Sequence, residues 1–526
     1  MNFGFIIDNR KCIGCHACTV ACKSEHQVPV GVNRTWVKYI EKGEFPDTRR
    51  LFSVMRCNHC ADAPCVEICP VTSLYTREDG IVDFDSRRCI GCKACTQACP
   101  YDAIFMDPAE HTSAKCNYCT HRVDIGLEPA CVVICPEHAI ISGDMDNPET
   151  EISKLLARET VSVRKQEKGT NPKLFYIDGD RVSLNPTATE IQDDYMWSSQ
   201  ATGVGKFAKF AEERIAQSPV AEELKKHNFV QIEPRKKARR VYDAPNKGVL
   251  WGWEVSAYVL TKAISTGAFM LPIFGGYFME VPQEIKWIGA IISFIFLCIT
   301  GALLVMDLGR PDRFLNVLFR PQWKSWLSRG AYFITGYGGI LTAWLVASYL
   351  GYEKILKFIE PLGIIFALLT AVYTAFLFAQ AKGRDFWQSP MLGLHMILHA
   401  IMAGFGVLLL VSYFVKVHVG IMMVLGFFTI AVLVIHLITL AIELTTTHTT
   451  ADAHATVKMI TKGDFSKAFW GEMILAGNIL PILFLLPVFW FWVIPWSFAL
   501  AGALVIFGLW FAEDIWVKAP QRIPLS

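Results

Sequence analysis

The sequence predicts a small α+β domain followed by an all-α bundle of eight transmembrane helices. Two observations carry this. Sixteen of the seventeen cysteines fall before residue 136 in four groups of four, and from about residue 249 onward long apolar runs are separated by short loops. Up to about residue 245 the chain is polar and charged, so the formal net charge of +2 averages two unlike halves. A length of 526 residues is enough for two or three domains. We divide it as residues 1–150, a connector at 151–245, and a membrane domain at 246–526.

The cysteine groups are Cys12, Cys15, Cys18 and Cys22; Cys57, Cys60, Cys65 and Cys69; Cys89, Cys92, Cys95 and Cys99; and Cys116, Cys119, Cys131 and Cys135. The third matches the run C-x2-C-x2-C-x3-C-P in full, and the others vary its spacing or lack only the proline. That run holds iron–sulfur cubanes through thiolates. Four sets of four thiolates supply ligands for four [4Fe–4S] clusters, the equipment of an electron carrier.

Two other uses of cysteine fit less well. Disulfides are disfavoured because cysteines three apart are poorly placed to bridge when so many crowd one region. Zinc sites pair C-x2-C units, but they rarely add a third cysteine after two residues and a fourth before proline. Cys298, alone in an apolar run, is expected to be a small packed hydrophobe.

Cys12-Ile-Gly-Cys15-His-Ala-Cys18 and Cys89-Ile-Gly-Cys92-Lys-Ala-Cys95 are nearly identical, which points to duplication of a two-cluster unit. The glycine before each second cysteine lets the backbone wrap closely and aim N–H groups at sulfur.

Eight apolar runs are long enough to span a bilayer, near 250–276, 287–306, 330–350, 362–381, 390–414, 420–443, 471–491 and 495–516. Only Ile494-Pro495 divides the last two, which leaves seven spans as an alternative. A soluble helical core would show one apolar stripe per helix, and these runs are apolar all round.

With eight spans, eighteen Lys and Arg lie in the loops on the N-terminal side and four on the other. By the positive-inside rule this places the cysteine-rich domain on the cytoplasmic side of the cell inner membrane. No twin-arginine export signal opens the chain, which agrees. In the connector, Leu174 to Leu184 reads as a short hairpin turning at Asp178-Gly179-Asp180, and Lys206 to Lys226 as an amphipathic helix. The Arg-Lys-Lys-Ala-Arg-Arg run at 235–240 reads as a juxtamembrane anchor in preference to a nucleic-acid site, and no nucleic-acid partner is expected.

Ionisable residues inside spans are functional candidates by default. They are Glu254, Tyr258 and Lys262 in the first span, Asp307 at the end of the second, His395 and His399 in the fifth, His436 and Glu443 in the sixth, and Glu472 in the seventh. Glu254 and Lys262, eight residues apart, fall on nearly one face and could be rungs of a proton path or buried polar groups. His395 and His399 share a face at i, i+4. Asp307 sits by Arg310 and Arg313, where an ion-pair role is an equal expectation, and Glu443 and Glu472 are expected at a solvated interface. Facing histidines also admit a b-type haem.

The first 150 residues resemble the four-cluster, ferredoxin-like electron-transfer subunit of molybdenum-enzyme respiratory complexes. The membrane half resembles the NrfD-like polysulfide-reductase membrane subunit. Its marks are Trp251-Gly252-Trp253, Asp307-Leu308-Gly309-Arg310-Pro311-Asp312-Arg313, Ser325-Trp326-Leu327-Ser328, Phe386-Trp387-Gln388-Ser389-Pro390, and Phe469-Trp470 with Pro481. These are separate polypeptides in most relatives and are fused here.

The resemblance implies that the first cysteine group pairs with the fourth and the second with the third. One cluster would then take Cys12, Cys15, Cys18 and Cys135, and another Cys116, Cys119, Cys131 and Cys22. The remaining two would take Cys57, Cys60, Cys65 and Cys99, and Cys89, Cys92, Cys95 and Cys69. It also implies exchange of electrons and protons with a membrane quinone (menaquinone or ubiquinone), and a separate catalytic oxidoreductase subunit of the Mo/W-bis-pterin type.

No G-x-G-x-x-G opening a helix and no Walker loop occurs in the chain, so substrate chemistry is expected in that partner. The alternative functions are an energy-converting module that couples quinone chemistry to proton translocation, a b-haem variant, and a purely structural anchor. A cytoplasmic cluster domain favours oxidation of a cytoplasmic donor such as formate, hydrogen or sulfite, with reduction of a sulfur acceptor as the alternative.

Overall fold

The computed structural model describes residues 1–44, 46–189, 238–244, 246–415, 417–448, 450–490 and 492–526. The expected helix at Lys206–Lys226 and the basic residues Arg235, Lys236 and Lys237 lie outside them. The chain divides into two units. One comprises Met1–Val66, Ser73–Leu250 and Pro524–Ser526, and the other Glu67–Thr72 and Trp251–Ile523.

Among the described residues, eleven strands in chain order are β1 (Phe3–Asp8), β2 (Thr35–Glu44), β3 (Asp47–Arg56), β4 (Leu74–Thr76), β5 (Val82–Phe84), β6 (Ile104–Met106), β7 (Ser113–Lys115), β8 (Ile140–Asp144), β9 (Val161–Ser162), β10 (Leu174–Ile177) and β11 (Ala238–Tyr242). They form a four-stranded sheet in the order β8-β1-β10-β9, a three-stranded sheet β11-β2-β3, and the ribbons β4-β5 and β6-β7. The apolar run of β1 is central in its sheet and buried on both faces, which its near-continuous apolar sequence suits. Phe5, Ile7, Val37, Val54, Tyr118 and Tyr176 form one core that includes Cys18 and Cys131.

The connector departs from expectation. Leu174–Ile177 is not half of a hairpin but pairs in parallel with β1. Residues Arg181–Leu184 are a short helix, because the Asp180 carboxylate accepts from the Val182 N–H and caps its start. The described part of the basic run is a strand. It is β11, where Arg239 pairs with Glu41 and buried Arg240 lies 2.8 Å from Asp243.

The near-identical cysteine runs fold identically at their turns. Gly14 and Gly91 both have φ of +72°, and the following His16 and Lys93 have φ of 62° and 61°. Each left-handed residue starts a short helix, Ala17–His26 or Ala94–Ala98, that carries the next cysteine.

Among the described residues, the second unit contains eight helices long and apolar enough to cross a membrane: Trp253–Gly275, Gln283–Met306, Trp326–Tyr349, Glu353–Gln380, Leu392–Phe414, Val419–Thr445, Ala468–Trp490 and Pro495–Arg522. Pro495 opens the last helix, so the two final runs are separate spans. The first and fifth spans meet backbone to backbone at Gly267 and Gly404, where a Cβ on Gly267 would lie 2.0 Å from the Ala400 carbonyl oxygen. Trp251 stacks on Trp387 with centroids 5.6 Å apart, and Gln521 clamps the Trp251 N–H and carbonyl. Several of the tryptophans that marked the sequence are therefore packing pieces.

Cys298 is exposed on the second span and is not packed. An apolar all-round helix can leave such a residue on its outer face, because lipid solvates it as well as a core would.

Candidate functional sites

In the first unit the cysteines converge. Cys12, Cys15, Cys18 and Cys135 line one small cavity together with Gly14 and His16. Cys22 has Cys116, Cys119 and Cys131 as electrostatic neighbours, and Cys65 has Cys57, Cys60 and Cys99. Cys89 lies beside Gly91 and Ser113. Cys69 falls in the second unit, where it is buried.

Burial pushes the thiols of Cys18 and Cys119 up to about 12, and it also raises those of Cys22, Cys60 and Cys65. Such thiols do not ionise by themselves at neutral pH, and metal binding is what deprotonates them. The sulfurs are also met by donors. Ala139 N lies 3.2 Å from Cys135 Sγ, Gly91 N 3.4 Å from Cys89 Sγ, and His59 N 3.5 Å from Cys57 Sγ. Burial holds His26 down at about 4, so its neutral ring can offer Nε2–H to Cys119 Sγ, 3.1 Å away. Convergent thiols ringed by N–H groups fit iron–sulfur clusters.

The second site is a line of polar side chains within the helical unit. Lys262, 1% exposed, does not reach back to Glu254. Its Nζ donates to the Ala371 carbonyl at 3.1 Å and to Thr374 Oγ1, with the Tyr373 ring centroid 4.8 Å away. Tyr258 is buried beside Tyr373 and Thr374, with Asp307 and Glu513 in its electrostatic surroundings. Glu254 is half-buried in the first turn of its helix. Asp307 is half-buried at the C-terminal end of the second span, and Arg310 and Arg313 pair with Asp312.

Glu513 of the eighth span places Oε1 2.7 Å from His399 Nδ1. His399 Nε2 lies 3.3 Å from His436 Nε2, and His436 Nδ1 lies 2.9 Å from Asn478 Oδ1. Asn478 sits where the seventh span runs as a π-helix, Ala468–Ile479, and its Nδ2 donates to the Met473 carbonyl. That fixes Oδ1 as the acceptor from His436 Nδ1–H, and a neutral His436 then presents a bare Nε2. With His436 neutral, a proton shared in the contact between the two rings sits on His399 Nε2. His399 Nδ1 must in turn either accept from a protonated Glu513 or carry a second proton facing its carboxylate.

His395 packs alongside, its Nε2 2.8 Å from Glu443 Oε2 but not aligned as a hydrogen bond. Glu443 is 3% exposed, which corrects the expectation of a solvated interfacial carboxylate. It faces inward, onto the fifth span. Glu472 is half-buried.

Ring nitrogens of His395, His399 and His436 all lie within 4.8 Å of one another. Axial ligands of one haem would stand about 4 Å apart, twice a metal–nitrogen bond of roughly 2 Å, with the porphyrin between them. His399 and His436, at 3.3 Å, leave no room for it. Sequence reasoning missed Glu513 and Asn478. An acid and an amide inside apolar runs were the signal, the same one that flagged Lys262.

A family model described as "Polysulphide reductase, NrfD" matches residues 243–512, and two "4Fe-4S dicluster domain" models match residues 48–145 and 11–74. This protein is a member of the NrfD polysulphide reductase family. It is a fusion of that membrane domain with N-terminal 4Fe-4S dicluster domains.

Relatives of the iron–sulfur half are components of reductases. A tetrathionate reductase subunit of Salmonella typhimurium is 42% identical over 188 residues, 35% of this chain and 75% of the relative. A polysulfide reductase chain of Wolinella succinogenes is 42% identical over 187 residues, 35% and 97%. A putative dimethyl sulfoxide reductase iron-sulfur subunit of Halobacterium salinarum is 38% identical over 228 residues, 37% and 87%. This NrfD-family fusion is accordingly a multi-pass membrane protein with an electron-transfer role.

Proposed function

We propose that the protein carries electrons through four [4Fe–4S] clusters between a separate catalytic subunit, of the Mo/W-bis-pterin type, and a membrane quinone. The observation that carries this is the fusion itself: sixteen cysteines in four sets, joined to a bundle whose interior holds a connected Glu513–His399–His436 line. When bound, such clusters accept and release single electrons and no protons. Quinone reduction needs two electrons and two protons, so the membrane half must supply the protons.

The ligand sets are Cys12, Cys15, Cys18 with Cys135; Cys116, Cys119, Cys131 with Cys22; Cys57, Cys60, Cys65 with Cys99; and Cys89, Cys92, Cys95 with Cys69. Tyr258 and Lys262 are assigned to donate toward a quinone oxygen. Glu513, His399 and His436 hold and pass the replacing proton, with His395 and Glu443 beside them. Because this line lies inside the bundle, it also supports the second reading, in which quinone chemistry is coupled to proton movement. The excess of Lys and Arg on one side of the spans supports a cytoplasmic iron–sulfur half in the cell inner membrane.

Purification of the full chain from native membranes, with protein and metal analysis, tests the reading. The expected result is a co-purifying large subunit, molybdenum or tungsten, and about sixteen irons per copy of this protein. A preparation carrying about sixteen irons without a pterin-metal partner would overturn the partner assignment. Iron well below that would overturn the four-cluster assignment.

A further inference from the structure

Two cations are buried at the junctions between cysteine sets of the first unit, and among the described residues neither pairs with a carboxylate. Arg56, the last residue of β3, is 0% exposed. Its Nη1 donates to Cys131 Sγ at 3.2 Å, and its guanidinium carbon lies 4.5 Å from the Phe5 ring centroid. Its Nε and Nη2 have no hydrogen-bond partner. Its electrostatic neighbours are Cys18 from one set and Cys116 and Cys131 from another.

Lys115, the last residue of β7, is also 0% exposed. Its Nζ donates to the Val82 carbonyl and, at 2.8 Å, to that of Cys116. Cys57 and Cys65 both count it among their electrostatic neighbours. Arg56 thus stands between the Cys12 and Cys116 sets, and Lys115 between the Cys116 and Cys57 sets.

An uncompensated buried cation is strongly disfavoured. Protonated thiols cannot offset it, so the compensating charge has to arrive with the metal. Four thiolates around a [4Fe–4S] core carry net negative charge, and reduction adds one more. In a low-dielectric interior a fixed cation nearby stabilises the more negative state, and net charge and hydrogen bonds to sulfur are levers on cluster potential.

We propose that Arg56 and Lys115 set the reduction potentials of the clusters they adjoin. The cluster of Cys116, Cys119, Cys131 and Cys22 adjoins both and is held highest of the three. An electron entering the first unit therefore settles there before moving on. This rests on the four-cluster reading above.

The test is a redox titration of the purified full chain followed by electron paramagnetic resonance, with iron content measured on each sample. Arg56→Met should keep its iron and lower the midpoint potentials of the cluster of Cys116, Cys119, Cys131 and Cys22 and of that of Cys12, Cys15, Cys18 and Cys135. Arg56→Lys, which keeps the charge, should restore most of that shift. Lys115→Met should lower the same cluster and that of Cys57, Cys60, Cys65 and Cys99. Should Arg56→Met fail to load iron, Arg56→Gln and Lys115→Met carry the comparison. Full iron with wild-type potentials in the neutral variants, or an equal shift in Arg56→Lys, would overturn the proposal. Wild-type protein without four cubane signals would instead overturn the reading beneath it.

Discussion

His399 and His436 approach each other through two Nε2 atoms 3.3 Å apart, each ring held from behind, one by Glu513 and the other by Asn478. Both rings are locked in orientation, and the contact between them requires a proton. Replacing His436 by Phe removes the acceptor and strands that proton. Quinone-dependent oxidation of the clusters should fall by about 10²-fold, the lower end of what a positioned proton donor contributes, while iron content is unchanged. Stopped-flow absorbance with matched iron assays checks it, and an unchanged rate would remove the histidine pair from the proton route.

Cys135→Ser should disturb the cluster assigned to Cys12, Cys15 and Cys18, because these four residues line one cavity. The measurement is iron content with the electron paramagnetic resonance spectrum of each cluster. An unaltered signal from that cluster, with loss elsewhere, would refute the pairing.

Lys262→Met separates a functional lysine from a structural one. Replacing a buried charge by an apolar side chain of similar length is often neutral or stabilising. The melting temperature should therefore hold or rise while quinone turnover falls about tenfold or more. A marked drop in melting temperature with normal turnover would assign Lys262 to packing.

Gly267→Ala should destabilise the helical unit by about 1–3 kcal/mol, the usual range for overpacking. The added methyl meets the Ala400 carbonyl and the Gly404 backbone, neither of which is a flexible side-chain end. Thermal unfolding of detergent-solubilised protein reads this out, and an unchanged midpoint would mean that the two spans separate more easily than their contact implies.

The division into an iron–sulfur half and eight spans was legible because both rest on strong local signals. Cysteine spacing marks a cluster motif, and a run of apolar residues long enough to cross a bilayer marks a span. The repeated Cys-Ile-Gly-Cys phrase pointed to a duplication, and the two copies do fold alike, with left-handed residues at His16 and Lys93 that the sequence did not announce. What failed were the signals that need a partner to be read. Asp178-Gly179-Asp180 is a good turn on paper, but β10 finds its neighbour in β1, more than 160 positions earlier. The basic run looked like a membrane anchor, yet Arg240 is buried against Asp243 and the C-terminal Ser526 carbonyl. Glu443 near the end of a span read as solvated because sequence does not say which face of that helix meets His395. Glu513 and Asn478 gain their meaning only from the histidines they hold.

The central claim is that electrons pass from the clusters to a quinone with protons supplied inside the bundle. The most direct measurement reduces the purified full chain with dithionite, removes the excess, and follows the cluster absorbance after adding a soluble menaquinone or ubiquinone analogue. Wild-type protein and Lys262→Met, matched for iron, are compared in the same buffer. Rapid reoxidation is expected in the wild type, and reoxidation slowed about tenfold or more in the variant. Equal rates in the two proteins, or no reoxidation of the wild type, would contradict it.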